Sequence, residues 1–208
     1  MGTKFTAMAM ALLILTVWST ARADENSKFN TWLANLRSEA LQSGIRTDIA
    51  DAALSSIQPL PRVIELDRKQ PEFTMTFDEY LGNVVPRSRV IKGLNKLAEN
   101  RELLTKIGAQ YGVQPRFIVA FWGIETDFGR HTGGFSVINA LATLAFDGRR
   151  SAYFRKELLN ALQILNDGHI APNDMKGSWA GAMGQCQFMP SSFLNFAVDN
   201  DGDGRRDI

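Results

Sequence analysis

Apolar residues recur along this chain every three or four positions, the period of a helix with one buried face. Phe29, Trp32, Leu33 and Leu36 share such a face, and Ala50, Ala53 and Leu54 begin another after a turn at Gly44 and a Thr47-Asp48 cap. Pro59 and Pro61 are expected to close that stretch, and Gln70-Pro71 to start an extended passage into Thr76-Phe77-Asp78-Glu79-Tyr80. Ser88 opens a predicted long helix carrying Val90, Ile91, Leu94, Leu97, Leu103, Leu104 and Ile107, ending near Tyr111-Gly112. Pro115 suits the first turn of the next helix, which runs through Glu125, and the spacing predicts two more over Ala140 to Phe146 and Tyr153 to Leu165. Alternating period-2 runs are nearly absent, and no repeat or low-complexity linker interrupts the pattern. The expected fold is therefore a single, mostly α domain over residues 24–208.

The first residues follow a different logic. Lys4, the apolar run Ala7 to Val17 and the small residues of Ala21-Arg22-Ala23 have the layout of a signal peptide, residues 1–23, cleaved after Ala23. The run is shorter than the ~20 residues that span a bilayer, so a cleaved leader is preferred to a retained anchor. No Cys stands at the cleavage point to carry a lipid. A periplasmic protein with no stable membrane anchor is expected.

Composition narrows the chemistry. Net charge is +1 and no basic tract is present, which argues against nucleic acid as a partner. The one cysteine, Cys186, cannot form an internal disulfide and reads as a small buried hydrophobe. His131 and His169 are far apart with no i, i+4 partner, so a zinc site or a Cys–His pair has little support.

Glu125 is the residue that breaks the helical pattern. At 100° per residue, Phe117, Phe121, Ile124 and Phe128 fall in one narrow arc with Ile118 at its edge, and Glu125 projects into that arc. A carboxyl group on an apolar face would be desolvated and its pKa raised, as a general acid for glycosidic cleavage requires. Periodicity alone equally allows a structural carboxylate that snorkels or pairs with an arginine such as Arg130. Asp127, the nearest second carboxylate, is expected on another side of the helix.

Residues 176–193 are rich in small side chains. Gly177, Gly181 and Gly184 admit close backbone approach, Ser178, Gln185 and Gln187 offer hydrogen bonds, and Trp179, Phe188 and Phe193 offer apolar faces. That mixture suits a sugar; tight helix packing through small residues explains it as well.

Taken together, Phe121-Trp-Gly-Ile-Glu-Thr-Asp-Phe-Gly-Arg130, the run Asn139 to Phe146, Arg149-Arg150 with Tyr153-Phe154, and Gly177-Ser-Trp-Ala-Gly-Ala-Met-Gly184 with Gln187-Phe-Met-Pro-Ser-Ser192 closely resemble the membrane-bound lytic murein transglycosylase B family. The resemblance implies a lysozyme-like α domain that cleaves the MurNAc-β-1,4-GlcNAc bond of peptidoglycan glycan strands, leaving 1,6-anhydromuramoyl ends and needing no catalytic cofactor. It implies Glu125 as the single acid/base and Ser178 as the residue orienting the muramoyl N-acetyl group. It further implies Gln187 and Tyr80 as cleft residues, and Arg149, Arg150 and Tyr153 as contacts to sugars or peptide stems. A water-using muramidase, or an inactive peptidoglycan- or calcium-binding remnant, would carry much the same motifs.

Near the end, Asp199-Asn-Asp-Gly-Asp-Gly-Arg-Arg-Asp207 places acids at positions 1, 3, 5 and 9 of an EF-hand-like loop, with Gly204 at the sharp-turn position. Asp199, Asp201 and Asp203 would offer side-chain oxygens and Arg205 its carbonyl to a structural Ca²⁺; a solvated acidic turn is the alternative. Ile208 falls at position 10, before the bidentate ligand expected at position 12. The resembling family continues past this loop, so the lysozyme-like domain is expected to be C-terminally truncated and the calcium site, over 199–208, incomplete.

Overall fold

The structure is a computed structural model that describes residues 24–69 and 75–208. The proposed leader and the Gln70-Pro71 start of the extended passage lie outside those residues. The described chain folds into α1 (24–42), α2 (Thr47–Leu54), α3 (Pro61–Arg68), α4 (Phe77–Val84), α5 (Arg87–Glu99), α6 (Arg101–Tyr111) and α7 (Pro115–Thr126). Strand β1 (Phe135–Ser136), α8 (Val137–Asp147), α9 (Ser151–Asn166), β2 (Lys176–Gly177) and α10 (Pro190–Phe196) follow. The mostly α expectation holds, with one short antiparallel pair, Phe135 opposite Gly177.

The core forms around α8. Val137, Ile138, Ala140, Leu141, Ala142, Leu144 and Ala145 are all buried, so this helix is apolar on every side and must sit inside. Its alanines let α9 approach closely, while α3 packs on α8, and α2 and α10 pack on α9. From α1, Phe29 meets Phe146 edge-on at 5.0 Å and stacks beside Trp32. Helices α5, α6 and α7 pack on one another as a second layer.

Four boundaries differ from the pattern reading. The long helix expected from Ser88 is two helices, broken at Asn100, whose side-chain amide donates to the Lys96 carbonyl at 2.9 Å and so caps α5. Pro61 opens α3 instead of closing a helix, since proline at the first helical position gives up no needed N–H. The expected extended run into Tyr80 is helical from Phe77, started by a capping box in which Thr76 and Glu79 satisfy each other's backbone N–H groups. Helix α10 is not predicted by local spacing because its start is capped from another helix: Ser191 donates from its N–H (2.8 Å) and hydroxyl (2.7 Å) to the buried Glu157 carboxylate of α9.

No helix among the described residues is long and apolar enough to cross a membrane.

Candidate active site

Helix α7 carries two faces. Val119, Gly123 and Thr126, spaced i, i+4, i+7, are its buried stripe. Phe117, Phe121 and Ile124, the arc expected to be covered, are 49, 66 and 46 % exposed, and Glu125 beside them is exposed too. The desolvation inferred from periodicity is therefore not realised: the apolar arc borders open space, and Glu125 stands at its edge.

The helix stops one residue after Glu125. Asp127, Phe128 and Gly129 adopt left-handed φ of 50°, 63° and 81°, reversing the chain. Phe128 consequently leaves the Glu125 arc. Its ring folds back over Gly123, where a Cβ would lie 2.7 Å from the ring carbon, and meets Trp122 edge-on at 5.5 Å. Asp127 is nearly buried and held by Lys92 Nζ at 2.6 Å and Arg130 Nη1 at 3.0 Å, with Arg89 Nε at 3.7 Å. The Lys92 hydrogen bond first, then the surrounding positive charge, hold its carboxyl below the usual range. Arg130 is thus committed to Asp127, and among the described residues Glu125 enters no ion pair.

Glu125 opens on a groove of about 750 Å³ between α6, the exposed side of α7 and residues 185–188, bordered also by Asp207 and Ile208. Phe121, Trp122, Leu103 and Phe188 supply apolar walls, and Glu125 and Gln185 supply polar ones. A smaller apolar crevice of about 230 Å³ between α5 and α7 contains no acid and is lined chiefly by side chains such as Val90 and Leu94. Cys186, expected to be buried, is exposed on the Glu125 groove, where partial burial and then the Glu125 charge push its thiol above the ordinary value. Asp207 is a second carboxylate at the groove that the sequence pattern did not single out for this role. It accepts from the Asn200 N–H at 3.0 Å and belongs to the acidic loop.

Residues 176–188 fold against the end of α7. Beyond β2, bridges from Gly177 to Met183 and from Met183 to Phe188 coil the segment into two turns. Ser178 Oγ accepts from the N–H groups of Ala182 (3.1 Å) and Ala180 (3.3 Å), leaving its hydroxyl proton to point elsewhere. Gln187, at φ 49°, donates through Nε2 to the carbonyls of Gly184 and Thr132, leaving its amide oxygen as an acceptor. Ser178 and Gln187 share this segment with Gln185 and Cys186 but are not among the residues lining the Glu125 groove. Just before β1, the Gly133 backbone presses on β2; its φ is 93° and a Cβ there would fall 2.1 Å from the Gly177 backbone.

The other expected site residues lie elsewhere. Arg149, Arg150 and Tyr153 cluster at the start of α9. Arg149 grips the buried Asp67 of α3 through Nε at 2.7 Å and Nη2 at 2.9 Å, and Arg150 reaches the same carboxylate at 2.5 Å. Both guanidiniums stay about half exposed, and Tyr153 is also exposed. Tyr80 sits on α4, exposed and outside the Glu125 groove.

In the acidic loop, carboxylate oxygens of Asp199, Asp201 and Asp207 lie within 4.8 Å of one another. Asp199 accepts from the N–H groups of Gly202 (2.7 Å) and Gly204 (2.9 Å), and Asp203 from that of Arg205 (2.7 Å). This all-oxygen donor set fits a hard divalent cation. Asp203 lies outside that cluster of three, which Asp207 joins.

This helical domain, with Glu125 open on a groove at the end of α7 beside a glycine-rich turn, has the lysozyme-like lytic transglycosylase fold. The chain belongs to the transglycosylase SLT domain family, whose model matches residues 28–208. It is 46 % identical over 104 residues to the membrane-bound lytic murein transglycosylase B of Escherichia coli (strain K12), a match covering 50 % of this chain and 29 % of that protein. Among solved structures, SltB3 from Pseudomonas aeruginosa in complex with NAG-NAM-pentapeptide is 44 % identical with a TM-score of 0.82, over 86 % of this chain and 48 % of that one. The same protein is also known in complex with NAG-anhNAM-pentapeptide. The Escherichia coli lytic transglycosylase Slt35 in complex with calcium is 33 % identical with a TM-score of 0.73, over 84 % of this chain and 56 % of that one. The chain thus spans about half or less of the length of these relatives.

Proposed function

We propose that this domain cleaves the MurNAc-β-1,4-GlcNAc bond of peptidoglycan by lytic transglycosylation, with Glu125 as its only acid/base. The observation that carries the reading is the division between adjacent acids: Glu125 stands open on the groove, while Asp127 is sequestered by Lys92 and Arg130. Asp207, the other carboxylate at the groove, is drawn into the acidic loop. A single free carboxyl suits a reaction in which the sugar supplies the rest. Protonated Glu125 donates its proton to the leaving glycosidic oxygen, and the C1–O bond breaks. The muramoyl N-acetyl group stabilises the positive charge at C1, the role a second carboxylate fills in ordinary glycosidases. Ionised Glu125 then takes the proton from the muramoyl 6-hydroxyl as its oxygen bonds to C1, closing the anhydro ring and regenerating the acid. The SltB3 complex with an anhydro-muramoyl peptide supports that product class.

Ser178 would orient the muramoyl N-acetyl group, Gln187 and Tyr80 would line the cleft, and Arg149, Arg150 and Tyr153 would contact sugars or peptide stems. The acidic loop would hold a structural Ca²⁺ through Asp199, Asp201 and Asp207, with Asp203 and the Arg205 carbonyl completing the shell; the calcium complex of Slt35 supports this. Residues 1–23 would direct export to the periplasm, where the substrate is. Mass spectrometry of sacculi digested by the purified protein tests the reaction. Anhydro-muropeptides are expected; reducing muramic acid ends would mean hydrolysis, and binding without soluble products would mean a non-enzymatic role.

A further inference from the structure

Gln185 has a geometry that its more conspicuous neighbour Gln187 lacks. Trp122, one turn before Glu125 on α7, donates its indole N–H to Gln185 Oε1 at 2.8 Å. Indole nitrogen is a donor only, so this bond decides which way the amide is turned: the oxygen faces Trp122, and the NH₂ faces away. A second grip comes from Thr126, the residue after Glu125, whose buried hydroxyl donates to the Gln185 carbonyl at 2.9 Å while accepting from the Gly129 N–H at 3.0 Å. Gly129 completes the seat, because a Cβ there would come within 2.5 Å of Gln185 Oε1. The residues flanking Glu125 therefore hold Gln185 in one orientation on the groove that Glu125 lines. Among the described residues the Gln185 NH₂ has no hydrogen-bond partner, whereas both N–H bonds of Gln187 are taken by backbone carbonyls.

We propose that Gln185 is a substrate-contacting residue, its amide locked by Trp122 so that Nε2 presents two N–H donors to an acceptor oxygen of the glycan bound beside Glu125. The acceptor is of the acetamido-carbonyl or sugar-hydroxyl class. This proposal rests on the glycan-cleaving reading of the same groove. The lock matters because a pre-oriented amide loses little rotational freedom when it binds.

Gln185→Glu separates a binding role from a structural one. The new side chain still accepts from Trp122 but has lost its donors at neutral pH and regains one when protonated near pH 4. In a Glu125→Gln background, which stops turnover, titration calorimetry with a soluble GlcNAc–MurNAc peptide fragment should show binding weakened roughly five- to tenfold at neutral pH, the range expected for one lost hydrogen bond. It should recover towards the Gln185 value near pH 4, with the thermal midpoint unchanged at neutral pH. Trp122→Phe, which unlocks the amide, should weaken binding by a smaller factor. Equal affinity of the Gln185 and Gln185→Glu proteins at both pH values overturns the proposal and leaves the glycan reading standing. If the parent itself binds no fragment and the unmodified protein releases no anhydro-muropeptides, the glycan reading falls and the proposal with it.

Discussion

Arg130 donates to Asp127 at 3.0 Å and so turns away from Glu125, five residues earlier. With Lys92 on the other side, the pair draws the local positive charge towards the buried acid. Two carboxyl groups separated by one residue are thereby assigned different work: one ties α7 to α5, and the other is left for chemistry.

Glu125→Gln tests that assignment directly. The residue is exposed and enters no ion pair among the described residues, so the thermal midpoint should hardly move. Release of anhydro-muropeptides, followed by mass spectrometry, should fall by about a thousandfold or more, within the range of a lost general acid/base. Retained activity would assign the chemistry to another group.

Asp127→Asn should instead destabilise the fold, and do so in a pH-dependent way. The folded carboxyl lies below its ordinary value of 3.8, so its stabilising effect is present above that value and lost as pH falls through the lower folded value. The gap in thermal midpoint between the two proteins should thus be full at neutral pH and close below about pH 3.8. A gap that persists in acid would mean that the charge is not what binds α5 to α7.

Asp67→Asn should cost roughly 1–3 kcal/mol in a urea melt, less than the ~3–5 kcal/mol typical of a broken buried pair. The discount follows from Arg149 and Arg150, whose guanidiniums are about half exposed and regain water when released. If these arginines also hold peptide stems, the variant should raise KM for peptide-bearing substrate more than for peptide-free glycan.

Gly133→Ala should be among the most damaging single-methyl changes, costing roughly 2–4 kcal/mol from left-handed strain and backbone overlap together. Its Cβ would meet the Gly177 backbone at 2.1 Å, and backbone cannot swing aside as a side-chain end can. Hydrogen exchange should report the loss first in β1 and β2.

Calcium should stabilise the protein and chelator should reverse the effect. With a dissociation constant near ~1 mM, as in extracellular modules, ~10 mM Ca²⁺ contributes about 1.4 kcal/mol. The shift should vanish in Asp199→Ala, because Asp199 both joins the acidic cluster and accepts from two loop N–H groups. A shift of equal size in that variant would place the ion elsewhere.

The helical character of the chain, the singling out of Glu125 and the closing acidic loop were all legible in the order of residues. Periodicity and short motifs are local, and an amphipathic stripe or an Asp-rich turn carries its signal within a few positions. What local spacing could not say was which stripe meets the core. On α7 the narrow stripe of Val119, Gly123 and Thr126 is the buried one, and the bulkier arc beside Glu125 is open, a choice made by where α5 packs. The left-handed run from Asp127 to Gly129 likewise ends the helix, so a 100° projection misplaces Phe128. Contacts between distant residues were invisible for the same reason: Glu157 capping α10, Asp67 gathering two arginines, and Trp122 setting the amide of Gln185 across 63 positions all depend on chain reversals that no window of sequence contains. The sequence by itself determined the helical class, most of the helices and the one conspicuous acid. Tertiary packing decided that this acid faces a groove, because only the folded chain settles which of two faces is covered.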